Sequence, residues 1–89
     1  MQVIQTHRFK QAVKKLKPNQ KQDLDQAIQT LLANPLLGEQ KKGDLVWLRV
    51  YKFRMVNQLT LLAYTFEEDR LILTLLAVGS HENFYRDLK

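Results

Sequence analysis

The chain has 89 residues, a formal charge of +5 and no cysteine. That length allows one domain, residues 1–89, with a single modest core; the missing cysteines exclude a disulfide framework and a thiolate metal site, and 45% hydrophobic residues argue against disorder. The positive balance alone fits a nucleic-acid or acidic protein partner and a merely lysine-rich solvated surface equally; the five lysines of KQAVKKLKPNQK and the interleaved bases and aromatics of RVYKFR tilt it toward a partner, while no apolar run reaches a membrane span and MQVIQTHRFK has no leader-like core, so a cytoplasmic chain without a membrane partner is expected.

MQVIQ reads as an initial strand around Val3 and Ile4. From Thr6, the residues Phe9, Ala12, Val13 and Leu16 recur at i, i+3, i+4 and i+7, one face of a helix. Lys10, Lys14, Lys15 and Lys17 surround that face, and His7 falls on the surface at its start. Pro18 interrupts. Asn19, with Gln22 three residues on, has the pattern of a capping box. The second helix presents Leu24, Ala27, Ile28, Leu31 and Leu32 on one side. Pro35 disfavours helix at Asn34, so the helix ends there. Two helices so closely joined pack as a hairpin.

Beyond Gly43 the apolar residues come in strand-like runs. LVWLRVYKFRMV and LTLLAYTF flank a tight turn at NQ, which lacks the glycine such turns prefer. EEDR is the next turn, and LILTLLAV is apolar at both parities except Thr74, as expected of a strand covered on both faces. Gly79 ends it, and Ser80 caps a short final helix, HENFYRDLK. The expected class is α+β: an antiparallel sheet with an N-terminal helical hairpin on one face and a short C-terminal helix.

Alternation along YKFRM puts Tyr51, Phe53 and Met55 on one face, under the helices, with Trp47 sharing their parity. Lys52 and Arg54 share the other face, about 7 Å apart by two rises of roughly 3.3 Å. Upstream, Val46, Leu48 and Val50 lie on that same outer face. An apolar stripe there needs a cover, whether the C-terminal helix, a second copy or another chain.

Three blocks carry a resemblance over nearly the whole chain. They are FKQAVKKLKPNQKQDLDQAIQTLLANP, the strand pair YKFRMVNQLTLLAY with TFEEDRLILTLLAVG, and the tail SHENFYRDL. In this order and spacing they resemble the RelE/ParE superfamily of toxins from type II toxin–antitoxin systems. The resemblance implies a growth-inhibiting toxin held inactive by a cognate antitoxin. RelE-like members are ribosome-dependent endoribonucleases that cut mRNA without a metal; ParE-like members inhibit DNA gyrase. A decayed toxin that only binds its antitoxin is a third case.

In the nuclease reading, the resemblance gives Lys52 the role of base or phosphate ligand, Arg54 that of stabilising phosphate charge, His81 that of proton donor and Tyr85 that of a base-stacking ring. Lys14, Lys15, Lys17 and Arg86 become RNA contacts. The antitoxin, acidic or with an acidic segment, would lie along Val46, Leu48, Val50 and Leu61. RelE-like nucleases usually carry an arginine three residues before the tyrosine of LTLLAY, where Leu61 stands. Arg49, Arg70 and Arg86 are the possible replacements, with Arg49 turned toward the helices by parity. The bland alternative for ENFYRDL is a lid of Phe84 and Leu88 docked on the sheet. No cofactor is expected: the two histidines are far apart and build no usual zinc site, and neither a glycine-rich phosphate loop nor a nucleophile elbow is present.

Overall fold

The structure, a computed structural model, describes residues 1–80, Leu45 by its backbone alone. Strand β1 (Gln2–Gln5) is followed by helices α1 (His7–Lys14) and α2 (Pro18–Ala33). A two-residue strand β2 (Glu39–Gln40) and a 3-10 turn (Gly43–Leu45) lead to β3 (Arg49–Met55), β4 (Gln58–Glu67) and β5 (Ile72–Ser80). The sheet order is β1-β5-β4-β3-β2. The β3–β4–β5 meander is antiparallel, as expected. Strand β1, however, runs parallel to β5, with Gln2 opposite Ile72. The sheet is therefore mixed, which corrects the antiparallel expectation. A four-residue strand whose partner lies at the other end of the described chain carries no pattern that fixes its direction.

Both helices cover one face of this sheet. Phe9, Leu24 and Leu31 pack with Met55, Leu62, Tyr64, Leu73 and Leu75, and Val13, Leu16, Ile28 and Leu32 join them at the margin. This is the apolar face that the helical spacing predicts. Thr6 caps α1: its Oγ1 accepts from the Phe9 N–H at 3.1 Å and donates to the Leu76 carbonyl at 3.1 Å. Helix α2 starts earlier than the Asn19 cap. Lys17 is the cap residue and Pro18 the first helical position, where its missing N–H costs nothing. Gln20 Oε1 accepts from the Lys17 N–H at 2.8 Å.

Strand β3 begins at Arg49, four residues later than LVWLRVYKFRMV suggests. Residues 43–48 turn first, with Gly43 at a φ of +67°. Trp47 consequently leaves the core face expected for it. It is 55% exposed, and its indole Nε1 donates to the Asp44 carbonyl at 3.2 Å. The β3–β4 turn is Val56–Asn57, one residue ahead of the NQ reading. Both residues have positive φ, 50° and 67°, as a two-residue type I′ turn requires. Strand β5 runs through Gly79 to Ser80, so Gly79 does not end it. The final helix expected from His81 on lies outside the described residues.

The β4–β5 ladder has one register break. Ala63 pairs with Ala77 and Tyr64 with Leu75, which leaves Leu76 unpaired in a β-bulge. The bulge flips the parity of β5. Leu73 and Leu75 point at the helices, whereas Ala77 and Gly79 share the opposite face with Ala63 and Leu61.

Tyr64 fastens the segment leaving α2 to the sheet. Its hydroxyl donates to the Pro35 carbonyl at 2.7 Å and accepts from the Gly38 N–H at 2.8 Å. Arg49 Nη1 adds a bond to the Gly38 carbonyl at 2.9 Å. A Cβ on Gly38 would stand 2.6 Å from the Tyr64 hydroxyl oxygen and 2.7 Å from its ring, so only glycine fits.

Tyr64→Phe removes both hydroxyl bonds and is expected to lower the unfolding free energy by about 1–3 kcal/mol in urea titrations. Burial raises the Tyr64 pKa above its ordinary 10.0, against the smaller opposing effects of the Gly38 N–H and the Arg49 charge. Below pH 10 both folded and unfolded states keep the phenol neutral, and its stabilising effect is fully present. Above that pH the unfolded chain ionises first, so stability falls as pH rises toward the folded pKa. The stability gap between wild type and Tyr64→Phe should therefore narrow above pH 10 in alkaline urea titrations. Gly38→Ala should destabilise the fold by about 1–3 kcal/mol through overpacking against the tyrosine ring, measured the same way.

Candidate functional site

The sheet face away from the helices is built by the even positions of β3. Val50, Lys52 and Arg54 alternate with Tyr51, Phe53 and Met55, whose side chains go to the helix side. The Tyr51 and Phe53 rings stack there, with centroids 6.1 Å apart. Lys52 and Arg54 are exposed, side by side on the outer face as expected. Across the sheet Lys52 is opposite Leu61, and Leu61 opposite Gly79; Arg54 is opposite Leu59. At neighbouring-strand spacings of about 4.8 Å, Gly79 and Lys52 are two strands, or roughly 10 Å, apart.

The described part of β5 ends with Ser80 opposite Thr60, and Thr60 is opposite Phe53, between the two cations. The chain is thus delivered to the level of Lys52 and Arg54 at the residue before His81. His81, Tyr85 and Arg86 lie outside the described residues.

The apolar stripe expected beside these cations takes a different form. Leu48, Val50 and Leu61 are 0%, 2% and 0% exposed and form a second core cluster with Ala63 and Ala77. Val46 is outside β3 and more than half exposed. The four residues do not make one open surface. Alternation indicates which side chains share a face; it says nothing of how much water that face meets.

A cavity of about 370 Å³ opens between α1 and the end of β5. Arg8, Gln11, Ala12 and Lys15 line it from the helix, at i, i+3, i+4 and i+7, and Ala77, Val78 and Gly79 from the strand. Of the expected RNA contacts, Lys15 therefore faces the same end of β5 as Lys52, while Lys14 and Lys17 are exposed outside its lining. Arg8 joins this surface without having been expected there; its spacing to Lys15 along the helix is the signal that marks it.

Two of the arginines considered as replacements at the Leu61 position are placed by the structure. Arg49 is on the helix side, its guanidinium holding the Leu36 and Gly38 carbonyls at 3.3 and 2.9 Å. Arg70 pairs with Glu67 at 3.7 Å in the β4–β5 turn, at the opposite end of β4 from Arg54. Neither reaches the Lys52–Arg54 face.

The turn that ends β3 is held from α2. Asp23 Oδ2 accepts from the Val56 N–H at 2.8 Å. Val56 is β-branched and at positive φ, a conformation costing about 1–3 kcal/mol that surrounding contacts must offset. Arg54 Nη1 in turn donates to the Asn57 carbonyl at 3.4 Å. Asp23 and Arg54 also line a smaller cavity of about 150 Å³ with Gln26, Ala27, Thr30, Tyr51 and Phe53. Among the described residues no three His, Cys, Asp or Glu side chains come together to hold a metal ion, and no helix is long and apolar enough to cross a membrane.

A family model described as ParE-like toxin of type II bacterial toxin-antitoxin system matches residues 3–89. The chain is also similar to the Escherichia coli RelE toxin in the intact RelBE toxin–antitoxin complex, at 16% identity and a TM-score of 0.71, over 89% of this chain and 94% of that one. The isolated Escherichia coli RelE toxin gives 16% identity and a TM-score of 0.70, over 98% and 94%. A conserved hypothetical protein of Helicobacter pylori is similar at 18% identity and a TM-score of 0.52, over 94% and 98%. At these identities the structures share the fold. No curated protein matches the chain.

Burial makes opposite predictions for the two ends of the expected stripe. Leu48→Asp places a carboxylate in a fully buried position and should cost about 3 kcal/mol or more of stability in the isolated protein. Val46→Asp should stay within about 0.5 kcal/mol. Thermal or urea unfolding of the two variants reads the difference directly.

Proposed function

The chain belongs to the ParE-like toxins of type II bacterial toxin–antitoxin systems, and from that premise we propose that it is a ribosome-dependent mRNA endoribonuclease. The observation that carries this reading is the pair of exposed cations Lys52 and Arg54, level with the end of β5 where His81 comes next in sequence. RNA cleavage by the 2′-OH needs a base to take its proton, cations to stabilise the phosphorane and an acid to protonate the 5′-oxygen as the P–O5′ bond breaks. Lys52 serves as base or phosphate ligand. Arg54 offers a planar multi-donor group to the phosphate oxygens. His81 protonates the leaving oxygen, and Tyr85 stacks on a base. Lys15, with Arg8 beside the end of β5, extends the positive surface along the RNA backbone, and Lys14, Lys17 and Arg86 add to it.

The cognate partner is an antitoxin with an acidic segment, which meets the Lys52–Arg54 face and the exposed Val46. Burial of Leu48, Val50 and Leu61 favours a contact at the margins of that face over one along the whole stripe. A second reading, inhibition of DNA gyrase, is favoured by Leu61. This leucine is fully buried where the nucleases carry an arginine, and Arg49 and Arg70 are engaged elsewhere.

The deciding measurement is cleavage of ribosome-bound mRNA by the purified protein, with 5′ ends mapped. Wild type should cut, and Arg54→Ala and His81→Ala should each lower the rate about 100-fold. Arg54→Ala should leave the unfolding midpoint nearly unchanged, because the side chain is exposed. Intact message together with DNA-damage signalling on induction would move the assignment to gyrase.

A further inference from the structure

We propose that Asp23, on α2, is a positioning residue for Arg54; its role in catalysis rests on the nuclease reading above. The Arg54 guanidinium is tied to the Asn57 carbonyl at 3.4 Å. That carbonyl is aimed by the Val56–Asn57 turn, in which both residues sit in the left-handed region. Asparagine tolerates this conformation; a β-branched valine resists it. The turn's strained residue is held by a side chain, Asp23, whose Oδ2 accepts the Val56 N–H at 2.8 Å. The carboxylate makes this a charge-assisted bond, stronger than a neutral one.

Asp23 can do this because of its place in the helix. It precedes the buried Leu24 and stands on the side of α2 that faces the end of β3, in the cavity it shares with Tyr51, Phe53 and Arg54. The chain of cause runs from a helix side chain to a backbone N–H, to the turn, to the Asn57 carbonyl and so to the guanidinium. Lys52 lies two residues before Arg54 and pairs with Leu61 inside the regular ladder, so it does not depend on the turn in this way. Loss of Asp23 should displace one cation of the site and leave the other in place.

The test uses the full chain in four forms: wild type, Asp23→Ala, Asp23→Asn and the double variant Asp23→Ala with Val56→Gly. Two readouts are taken, the Arg54 Nε–H signal by NMR and cleavage of ribosome-bound mRNA. Asp23→Ala should shift the Arg54 signal and leave the Lys52 amide in place. It should lower kcat about tenfold with KM within about twofold, because Arg54 acts on transition-state charge. Asp23→Asn keeps an uncharged acceptor and should fall between. Glycine adopts the left-handed conformation without strain, so Val56→Gly should restore both the signal and the rate in the Asp23→Ala background.

An unmoved Arg54 signal in Asp23→Ala overturns the proposal, as does a loss that Val56→Gly fails to restore, since that loss would reflect general destabilisation. If wild type leaves message intact, the nuclease reading falls. The Arg54 signal then decides the role of Asp23 by itself: a shift reversed by Val56→Gly upholds it, and no shift overturns it.

Discussion

The extra residue in β5 is the constraint on which the rest of this architecture depends. With Leu76 unpaired, β5 changes faces halfway along its length. Its first half sends Leu73 and Leu75 into the core under the helices. Its second half turns small side chains, Ala77 and Gly79, onto the outer face beside Ala63 and Leu61. Leu76 and Ala77 both pack against that outer cluster, while Val78 turns to the helix-side core; a regular strand would instead set Val78 opposite Leu61, where Gly79 stands. The bulge carbonyl is not wasted, since Thr6 donates to it while capping α1. One irregularity thus sets the packing of the core, the start of the first helix and the low profile of the strand beside the cations.

The second fixed point is the Tyr64 hydroxyl, one position along β4 from the break. It satisfies a carbonyl and an N–H of the segment leaving α2, groups that would otherwise be buried without partners at a cost of about 1–3 kcal/mol each. Arg49 works on the same segment. That removes from the outer face an arginine that sits only three residues from Lys52. In this chain the arginine on the helix side holds the frame, and the one on the outer side, Arg54, is exposed where a ligand can meet it. Strand parity separates the two tasks.

Much of this was legible in the residues. Phe9, Val13 and Leu16, like Leu24, Ile28 and Leu31, announce helix faces through their spacing, and YKFRM announces which of its side chains share a face. These signals are strong because each element is amphipathic and its period is set by backbone geometry. The rest was hidden for physical reasons. LILTLLAV is apolar at both parities, so a change of register inside it breaks no alternation, and the bulge leaves no mark. Strand β2 is two residues long and polar, held in place by its neighbour and not by its own pattern. The direction of β1 depends on a partner at the far end of the described chain. Asn57 stands in the turn as expected, but its companion is Val56, which propensity would exclude and which Asp23 retains. The shared face of Lys52 and Arg54, exposed in the structure, could be read from parity alone. The burial of Leu48, Val50 and Leu61 could not, because alternation is silent about what lies over a face.

The energetics of the two outer cations bear on what the face is for. Like charges about 7 Å apart repel by roughly 0.6 kcal/mol in water and by a few times that near a protein surface. A fold that only needed a solvated face would gain by placing an acid there, as charged pairs across strands do. Opposite Lys52 and Arg54 the sheet instead carries Leu61 and Leu59, so the cross-strand neighbours leave the repulsion uncompensated. An anion between the two cations relieves it, and a phosphate does so with oxygens matched to the arginine's planar donors. With Leu61 buried, the pair has no third cation on β4 to share that load, and its effectiveness depends on where the guanidinium of Arg54 is held. That position is linked, through the Asn57 carbonyl, to a strained two-residue turn held from helix α2 by Asp23.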